Sequence, residues 1–209
     1  MRVFLGITGA SGAPYARGIL DALVAAGAEV GICASAAGIE VLATELYGDP
    51  SLPREDVIER LVGGARAQVT TYGVNDYGAP YASGSAKVDA YVVCPCSMAT
   101  VGTLAAGAMA NLIHRAASVA LKERRKLVLV PRETPLSSIH LRGLATLNEA
   151  GAVILFAAPG FYHRAETVQD LVDFVVARCL DQLGVPNELI ARWGEGTSNP
   201  RPDVPGGPS

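Results

Sequence analysis

Charged side chains, aromatic rings and long apolar runs are all scarce in this chain. Only 18% of its 209 residues are charged, and the formal net charge is −3. A protein that binds nucleic acid through phosphate contacts needs a basic excess, so the composition disfavours that partner. No apolar stretch reaches the roughly 20 residues of a membrane-spanning helix, and nothing near Met1 resembles a signal peptide. We therefore expect a cytoplasmic protein with neither a nucleic-acid nor a membrane partner.

Cysteine and histidine are also rare, and their spacing predicts no metal site. Cys94 and Cys96 form one C-x-C pair without the second half of a zinc motif. His114, His140 and His163 lack metal-ligand spacing, and the D-D-x-x-D run that holds magnesium in diphosphate enzymes is absent. We interpret the thiols as reduced. We interpret Cys94 and Cys96 as small buried side chains rather than nucleophiles, because no histidine is placed to activate them.

Apolar runs alternate with amphipathic segments along most of the chain. Five runs predict buried strands: RVFLGIT, AEVGICAS, DAYVVCPC, KLVLVP and GAVILFAAP. Helices are predicted between and after them, while residues 49–87 are predicted to be irregular apart from a short helix opened by Pro53. Pro95 is predicted to end the third strand. Continuous apolar strands between helices indicate a parallel sheet covered on both faces. The fold class is therefore α/β, a three-layer doubly wound parallel sheet of Rossmann or flavodoxin type.

The domain organisation follows from composition. Residues 1–185 are predicted to form one domain, and residues 186–209 a C-terminal arm. The last 16 residues, GEGTSNPRPDVPGGPS, contain eight glycines or prolines. Such a composition does not build a packed element, so we expect disorder from about residue 194, or an arm that crosses a neighbouring subunit.

A glycine turn follows the first predicted strand. In GITGASG, the glycines Gly6, Gly9 and Gly12 are three apart, unlike the G-x-G-x-x-G of dinucleotide enzymes. Unpartnered N–H groups are predicted where this turn enters the helix, a site that favours an anion. The second strand ends near Ser35 without the acidic residue that reads an adenosine ribose. The pattern favours a mononucleotide such as FMN, and a tight turn that binds nothing is the alternative.

Polar residues also follow the third and fourth predicted strands, where a doubly wound sheet binds its ligands. In CPCSMAT, Ser97 and Thr100 stand at a helix start, and Ser97 is either a ligand contact or an N-cap. In VPRETPL, Arg132 and Glu133 stand just past the strand. Their alternative interpretation is an exposed ion pair in a loop.

Basic residues are concentrated in one region of this acidic chain. Between Arg115 and Arg132 six basic residues accompany one acid, Glu123, which suits a small anionic ligand. Arg115 and Lys122 are seven apart and share a helix face, which is either solvated or ligand-binding. Arg178 on the last, largely apolar helix is either an oligomer contact or a ligand clamp.

Five segments together resemble the UbiX flavin prenyltransferases. They are GITGASG, CPCSMAT, NLIHRAASVALKERRKLVLVPRETPLSSIHL, GAVILFAAPGFYHR and DLVDFVVARCLDQLG. The resemblance implies a metal-independent prenyltransferase that transfers a dimethylallyl group from dimethylallyl monophosphate to N5 and C6 of reduced FMN. It also implies that the product, prenylated FMN, serves a UbiD-type decarboxylase. Family members form dodecamers with sites where subunits meet, so the resemblance implies a homo-oligomer.

The same resemblance implies roles for individual residues. The residues implied to bind the flavin are Gly9, Ala10, Ser11, Ser35, Ser97, Met98, Ala99, Thr100 and Arg132. The implied catalytic residues are Tyr77, Arg115, Lys122 and Glu133, and the implied ligands of the prenyl phosphate are Tyr162 and Arg178. Tyr77 stands where some family members carry tryptophan, whose ring stabilises a cation best.

Two other functions stay open on the sequence. One is an FMN-dependent decarboxylase of the same flavoprotein group, although the P-x-M-N segment of the members that act on cysteine is absent. The other is a non-catalytic FMN carrier. Replacing Lys122 by alanine separates a carrier from an enzyme, because only the enzyme loses turnover while keeping FMN.

Overall fold

The computed structural model describes residues 1–162 and 165–192, in which strands and helices alternate. The strands are β1 (Arg2–Ile7), β2 (Glu29–Ala34), β3 (Val69–Tyr72), β4 (Ala90–Cys96), β5 (Lys126–Pro131) and β6 (Val153–Ile154). The helices are α1 (Ala13–Ala25), α2 (Ala36–Tyr47), α3 (Arg54–Val62), α4 (Met98–Ala105), α5 (Leu112–Lys122), α6 (Ser138–Glu149) and α7 (Val168–Leu183).

The strands form a single six-stranded sheet in the order β3-β2-β1-β4-β5-β6. Every neighbouring pair is parallel. The order reverses between β1 and β4, so a crevice opens beyond the carboxyl ends of these two strands. The predicted doubly wound fold is confirmed, and the crevice is where its ligand is expected.

Helices cover both faces of the sheet. Helices α1, α2, α3 and α7 pack on one face, and α4, α5 and α6 pack on the other. Neighbouring strand residues alternate between the two cores, as when Leu5 faces the first and Phe4 the second. Because both faces are buried, the central strands read as continuous apolar runs.

The two edge strands depart from the sequence prediction. Strand β3 lies inside the segment predicted to be irregular. The strand was not predicted because Thr70 and Thr71 are exposed and only Val69 is buried, so its sequence has no apolar run. Strand β6 is two residues long instead of a full apolar run. The chain after it still pairs irregularly with β5, since Leu155 N–H donates to Leu129 O at 2.9 Å.

Pro95 does not end β4, so that prediction is wrong. The strand continues to Cys96, which pairs with Pro131 after a register shift. Proline has no N–H to donate, but its carbonyl oxygen still accepts hydrogen bonds. Pro95 O accepts from both the N–H and the hydroxyl of Thr8, at 3.1 and 2.9 Å. The proline therefore produces an irregularity within the strand.

The segment after α7 is partly described. Asn187 Nδ2 donates to Asp181 Oδ1 at 3.2 Å, and Arg192 Nη1 donates to Asp181 Oδ2 at 2.7 Å. The chain from 186 to 192 is thus attached to the last helix. The predicted disordered tail lies outside the described residues, and the proposed domain limit at residue 185 stays a prediction. Among the residues the structure describes, no helix has the length and apolar character to cross a membrane.

Candidate active site

Thr8 joins the two loops that line the crevice between β1 and β4. Its side chain is 3% exposed, donates to Pro95 O at 2.9 Å and accepts from Ser97 N–H at 2.8 Å. The hydroxyl therefore fixes the glycine turn beside the Ser97–Thr100 segment. Thr8 was not among the residues predicted to form the site. Its position between an apolar strand and a glycine turn is the one signal that pointed to it.

Ser35 and Ser97 both cap helices at the carboxyl edge of the sheet. Ser35 Oγ accepts from Gly38 N–H at 3.0 Å, and Ser97 Oγ accepts from Thr100 N–H at 3.3 Å. The N-cap interpretation of Ser97 is therefore confirmed. Because both hydroxyls stand at helix N-termini beside the crevice, capping does not exclude contact with a ligand.

The glycine turn packs closely against the start of α2. A Cβ atom on Gly9 would lie 2.5 Å from the Cβ of Ala37, so only glycine allows this approach. Gly12 has a φ of 139°, a conformation that side-chain-bearing residues rarely adopt. The two glycines let the backbone turn tightly beside the crevice.

The expectation of unpartnered N–H groups in this turn is wrong for three residues. Gly12 and Ala13 N–H donate to the Glu45 carboxylate at 2.9 and 2.8 Å, and Ala10 N–H donates to Thr8 O at 2.9 Å. Within the described part of the chain, the N–H groups of Gly9 and Ser11 have no such partner. The anion at the start of α1 is therefore a side chain of the protein itself.

Arg132 and Glu133 follow β5 and lie beside the Ser97–Thr100 segment, because β5 pairs with β4. Glu133 Oε1 accepts from Thr134 N–H at 3.0 Å. No ion pair joins Arg132 to Glu133 in the portion of the chain that is described, so the loop ion-pair interpretation is wrong. The guanidinium is exposed at the carboxyl edge, where it can meet an anion.

Arg115 and Lys122 share a face of α5, as their spacing predicted. Arg115 Nε donates to Ala82 O at 2.9 Å, and Lys122 Nζ lies beside Gly84 in an ion pair with Glu123. Lys122 lowers the pKa of the Glu123 carboxyl through this hydrogen bond and its charge. Both cations therefore lie along one chain segment that runs beside the helix.

Lys122 is nevertheless far from the carboxyl edge of the sheet. It ends α5 just before β5 begins, and Arg125 Nη2 binds Gly84 O at 2.6 Å at this amino edge. Arg132 follows the other end of β5. A six-residue strand spans about 20 Å, so one subunit does not bring Lys122 and Arg132 together.

Tyr77 lies in the loop between β3 and the segment that runs along α5. The loop is attached to the start of α5, since Leu112 N–H donates to Val74 O at 2.7 Å. The Tyr77 side chain is 52% exposed. Its ring is therefore accessible at the protein surface.

Tyr162 and Arg178 lie together at the β6 edge of the sheet. The Tyr162 ring contacts the Phe174 ring edge-on, with centroids 5.6 Å apart. Phe174 and Arg178 line a cavity of about 270 Å³ between β6 and α7. Arg178 Nη1 donates to Asp181 Oδ2 at 2.8 Å, which orients the guanidinium. The structure thus divides the predicted site residues into three groups. One lies at the carboxyl ends of the strands, one lies on a face of α5, and one lies beside the outer strand β6.

All four cysteines are buried and free. Burial raises the pKa of Cys33, Cys96 and Cys179 to about 12, and it raises the pKa of Cys94 well above its usual value. A thiol needs its thiolate form to act as a nucleophile. The interpretation of Cys94 and Cys96 as packing side chains fits their burial. No group of three metal-ligating side chains occurs within residues 1–162 and 165–192.

Comparison with known proteins identifies the family. The Flavoprotein family profile matches residues 1–180. The flavin prenyltransferase UbiX of Pseudomonas aeruginosa is 52% identical over 199 residues, which cover 93% of this chain and 94% of that protein. The chain belongs to the UbiX flavin prenyltransferase family. The resemblance that the sequence motifs carried is thereby confirmed.

Solved structures of UbiX proteins have the same fold. AnUbiX, crystallised in complex with FMN and dimethylallyl pyrophosphate, matches with a TM-score of 0.82 and 36% identity over 94% of this chain and 98% of that one. A dodecameric FMN-dependent UbiX-like decarboxylase from Escherichia coli O157:H7 matches with a TM-score of 0.81 and 38% identity, covering 92% of this chain and 99% of that one.

Proposed function

We propose that this UbiX-family chain is a flavin prenyltransferase. It transfers a dimethylallyl group from dimethylallyl monophosphate to N5 and C6 of reduced FMN, and the prenylated FMN serves a UbiD-type decarboxylase. The observation that carries the proposal comes from the relative AnUbiX, which is 36% identical over nearly the whole chain. Its crystals hold FMN and dimethylallyl pyrophosphate together.

The crevice at the carboxyl edge suits FMN. Gly9 and Gly12 keep side chains out of the turn. Within the described residues, the N–H groups of Gly9 and Ser11 have no hydrogen-bond acceptor, so they can donate to the flavin. Ser35 and Ser97 add hydroxyls from two helix N-termini, which favour a phosphate. The residues proposed to hold the flavin are Gly9, Ala10, Ser11, Ser35, Ser97, Met98, Ala99, Thr100 and Arg132.

The charged residues supply the chemistry around the donor. Reduced FMN, when bound, supplies the nucleophilic atoms N5 and C6. Separating the allylic group from its phosphate is slow in water because opposite charges must part. Arg115, Lys122 and Arg178 would stabilise the departing phosphate, and such preorganised charges contribute on the order of 3 kcal/mol each.

Two further residues, Tyr77 and Glu133, would stabilise the prenyl cation and transfer a proton. The accessible Tyr77 ring would face the allylic cation and stabilise it through its π electrons. The Glu133 carboxyl, half-buried beside Arg132, or the bound phosphate would move the proton that C6 loses to the alkene carbon of the prenyl group as the ring closes. A carboxylate within reach of the crevice suits this role because it can hold and release one proton.

A complete site needs more than one subunit. Lys122 and Arg132 lie about one strand length, or about 20 Å, apart in a single chain, which is too far for one small substrate. We propose that Lys122 of one subunit and Arg132 of another complete each site. The dodecameric relative from Escherichia coli O157:H7 supports the proposal that this chain forms a closed homo-oligomer, a dodecamer.

Phosphate release tests the proposal. The purified chain, incubated anaerobically with reduced FMN and dimethylallyl monophosphate, should release one phosphate per flavin and none when either substrate is omitted. Lys122→Ala should retain FMN and lose phosphate release, whereas Lys126→Ala, a lysine outside the proposed site, should behave as wild type. Absence of phosphate release from a folded, FMN-binding chain would refute prenyl transfer.

A decarboxylase is the second candidate. The Escherichia coli O157:H7 relative is described as an FMN-dependent UbiX-like decarboxylase, which favours it. The test is CO₂ release from a hydroxybenzoate or phenylacrylate substrate by the purified chain without a partner protein. We expect none, because the proposed product is a cofactor for another enzyme.

A further inference from the structure

Asp181, one turn after Arg178 in α7, binds two arginines through one oxygen. Its Oδ2 accepts from Arg178 Nη1 at 2.8 Å and from Arg192 Nη1 at 2.7 Å, while its Oδ1 accepts from Asn187 Nδ2 at 3.2 Å. The Asp181 side chain is only 19% exposed. The hydrogen bond from Arg192 is the main cause that lowers the pKa of this carboxyl, so it stays ionised. One anion is therefore shared by two guanidinium cations.

The chain after α7 folds back and brings Arg192 to Asp181. Gly184 follows the last residue of α7 with a φ of 75°, a left-handed conformation that glycine adopts without strain. The next residue, Val185, is buried, and its carbonyl oxygen accepts from Asn187 Nδ2 at 3.3 Å. Arg192 Nη2 donates to Asn187 O at 3.2 Å. Arg192 and Asn187 thus hold each other as well as the carboxylate.

Arg178 keeps most of its hydrogen-bond donors available for a ligand. A guanidinium has five N–H donors, and across residues 1–162 and 165–192 only Asp181 accepts a hydrogen bond from Arg178. The Arg178 side chain is 47% exposed and lines the cavity of about 270 Å³ between β6 and α7. Asp181 is not among the described residues that line this cavity. An effect of Asp181 on a ligand there must therefore pass through Arg178.

The charges of this cluster give the second arginine a purpose. A carboxylate paired with Arg178 alone would cancel its charge, repel an incoming phosphate and compete with it for the guanidinium. With Arg192 bound to the same oxygen, the carboxylate is already compensated, and the cluster as a whole stays positive. Arg178 can then turn to a phosphate without leaving a half-buried carboxylate unpaired.

We infer that Arg192 is a positioning residue that acts through Asp181 and prepares Arg178 to bind the phosphate of the prenyl donor. The inference rests on the proposed function, in which Arg178 is a ligand of that phosphate. It adds that the chain segment after α7, which carries no residue of the predicted site, contributes to donor binding.

The KM for dimethylallyl monophosphate tests the inference. Arg192→Ala should raise this KM about fivefold or more and change kcat less, because the phosphate is bound both before and during the reaction. Arg192→Lys keeps the charge and should restore most of the affinity. Arg17→Ala is the matched control, since it breaks the exposed ion pair with Asp21 on α1 and should leave the KM unchanged. If Arg192→Ala does not fold, Arg192→Gln decides: a raised KM supports the inference and a wild-type KM overturns it.

A double substitution separates positioning from a merely structural role. In an Asp181→Asn chain the carboxylate that Arg192 compensates is gone, so adding Arg192→Ala should change the KM by less than about twofold. An equal rise in both backgrounds would show that Arg192 does not act through Asp181. A lower thermal midpoint with an unchanged KM in Arg192→Ala would show that Arg192 only attaches the segment to α7. Either result overturns the inference.

Inorganic phosphate gives a readout that does not require prenyl transfer. Phosphate should raise the thermal midpoint of the FMN-loaded wild-type chain, and both Arg178→Ala and Arg192→Ala should reduce this shift. Arg17→Ala should keep it. A wild-type chain that shows this pattern without transferring a prenyl group would refute the proposed function and retain the inference. Equal shifts in all four proteins, or no shift in wild type, would overturn the inference and leave prenyl transfer intact.

Discussion

Lys122 and Arg132 lie at opposite ends of strand β5, although they are only ten positions apart in the sequence. Strand β5 separates them, and its six residues span about 20 Å. In a closed assembly the two residues can still meet at a contact between subunits. This relationship leads to a test by mixing inactive chains.

Co-expression of Lys122→Ala and Arg132→Ala chains should restore activity. Each chain alone should be inactive. In mixed assemblies, about a quarter of sites receive an intact Lys122 from one subunit and an intact Arg132 from another, if subunits associate at random. Phosphate release by the purified mixed assembly measures the recovery.

The matching control pairs Lys122→Ala with a chain that carries both substitutions. That mixture contains no intact Lys122 and should stay inactive. If the first mixture is as inactive as its parents, the two residues do not complement each other across subunits, and the shared-site proposal fails.

Thr8→Val should destabilise the fold and weaken FMN binding. The substitution removes the hydroxyl that donates to Pro95 O and accepts from Ser97 N–H. Pro95 O keeps its hydrogen bond from the Thr8 N–H, whereas the Ser97 N–H is left unpaired. A loss of about 1–3 kcal/mol in the free energy of unfolding is expected from urea titration. Thr146→Val removes a hydroxyl that binds Arg142 O on an exposed helix, and it should cost less than about 0.5 kcal/mol. Equal costs would show that Thr8 does not hold the loops together.

The cysteines should resist thiol reagents in the folded protein. Burial raises the pKa of Cys33, Cys96 and Cys179 to about 12, so almost no thiolate is present near neutral pH. An aromatic disulfide reagent at about pH 8, near the ordinary thiol pKa, should label none of them until denaturant is added, when all four thiols react. Rapid labelling of a native thiol would contradict the described burial.

His114 should make the stability depend on pH. Burial lowers the pKa of its imidazole, and its Nδ1 accepts from Ala110 N–H at 3.3 Å, which requires the neutral ring. The folded state binds fewer protons than the unfolded state, so this stability is present above the unfolded pKa of about 6.5 and falls as the pH drops towards the folded pKa. His114→Gln should flatten the loss of stability between about pH 7 and pH 5. An unchanged slope in a folded His114→Gln chain would show that His114 is not the source of the pH dependence.

The fold could be predicted from the sequence because most strands are buried on both faces. The continuous apolar runs of β1, β2, β4 and β5 come from that burial. Strand β3 escaped the prediction because Thr70 and Thr71 face solvent at the sheet edge. The prediction that β4 ends at Pro95 failed because a proline inside a strand is tolerated where the hydrogen-bond pattern is already irregular.

The candidate site was only partly predictable. The residues directly after the strands are visible in the sequence, since strand ends are. The contact of Glu45 with Gly12 and Ala13 depends on how α2 packs against α1, which no local pattern encodes. Helical spacing placed Arg115 and Lys122 on one face, but it did not reveal that Lys122 lies at the opposite edge of the sheet from Arg132.

Mass spectrometry of the flavin tests the central claim most directly. The purified chain should be incubated anaerobically with reduced FMN and dimethylallyl monophosphate, and the flavin should then be extracted. Prenyl transfer predicts a flavin that has gained one C₅H₈ unit, in amounts that grow with time and disappear when the donor is omitted. Recovery of unmodified FMN alone from folded, FMN-loaded protein would contradict the account.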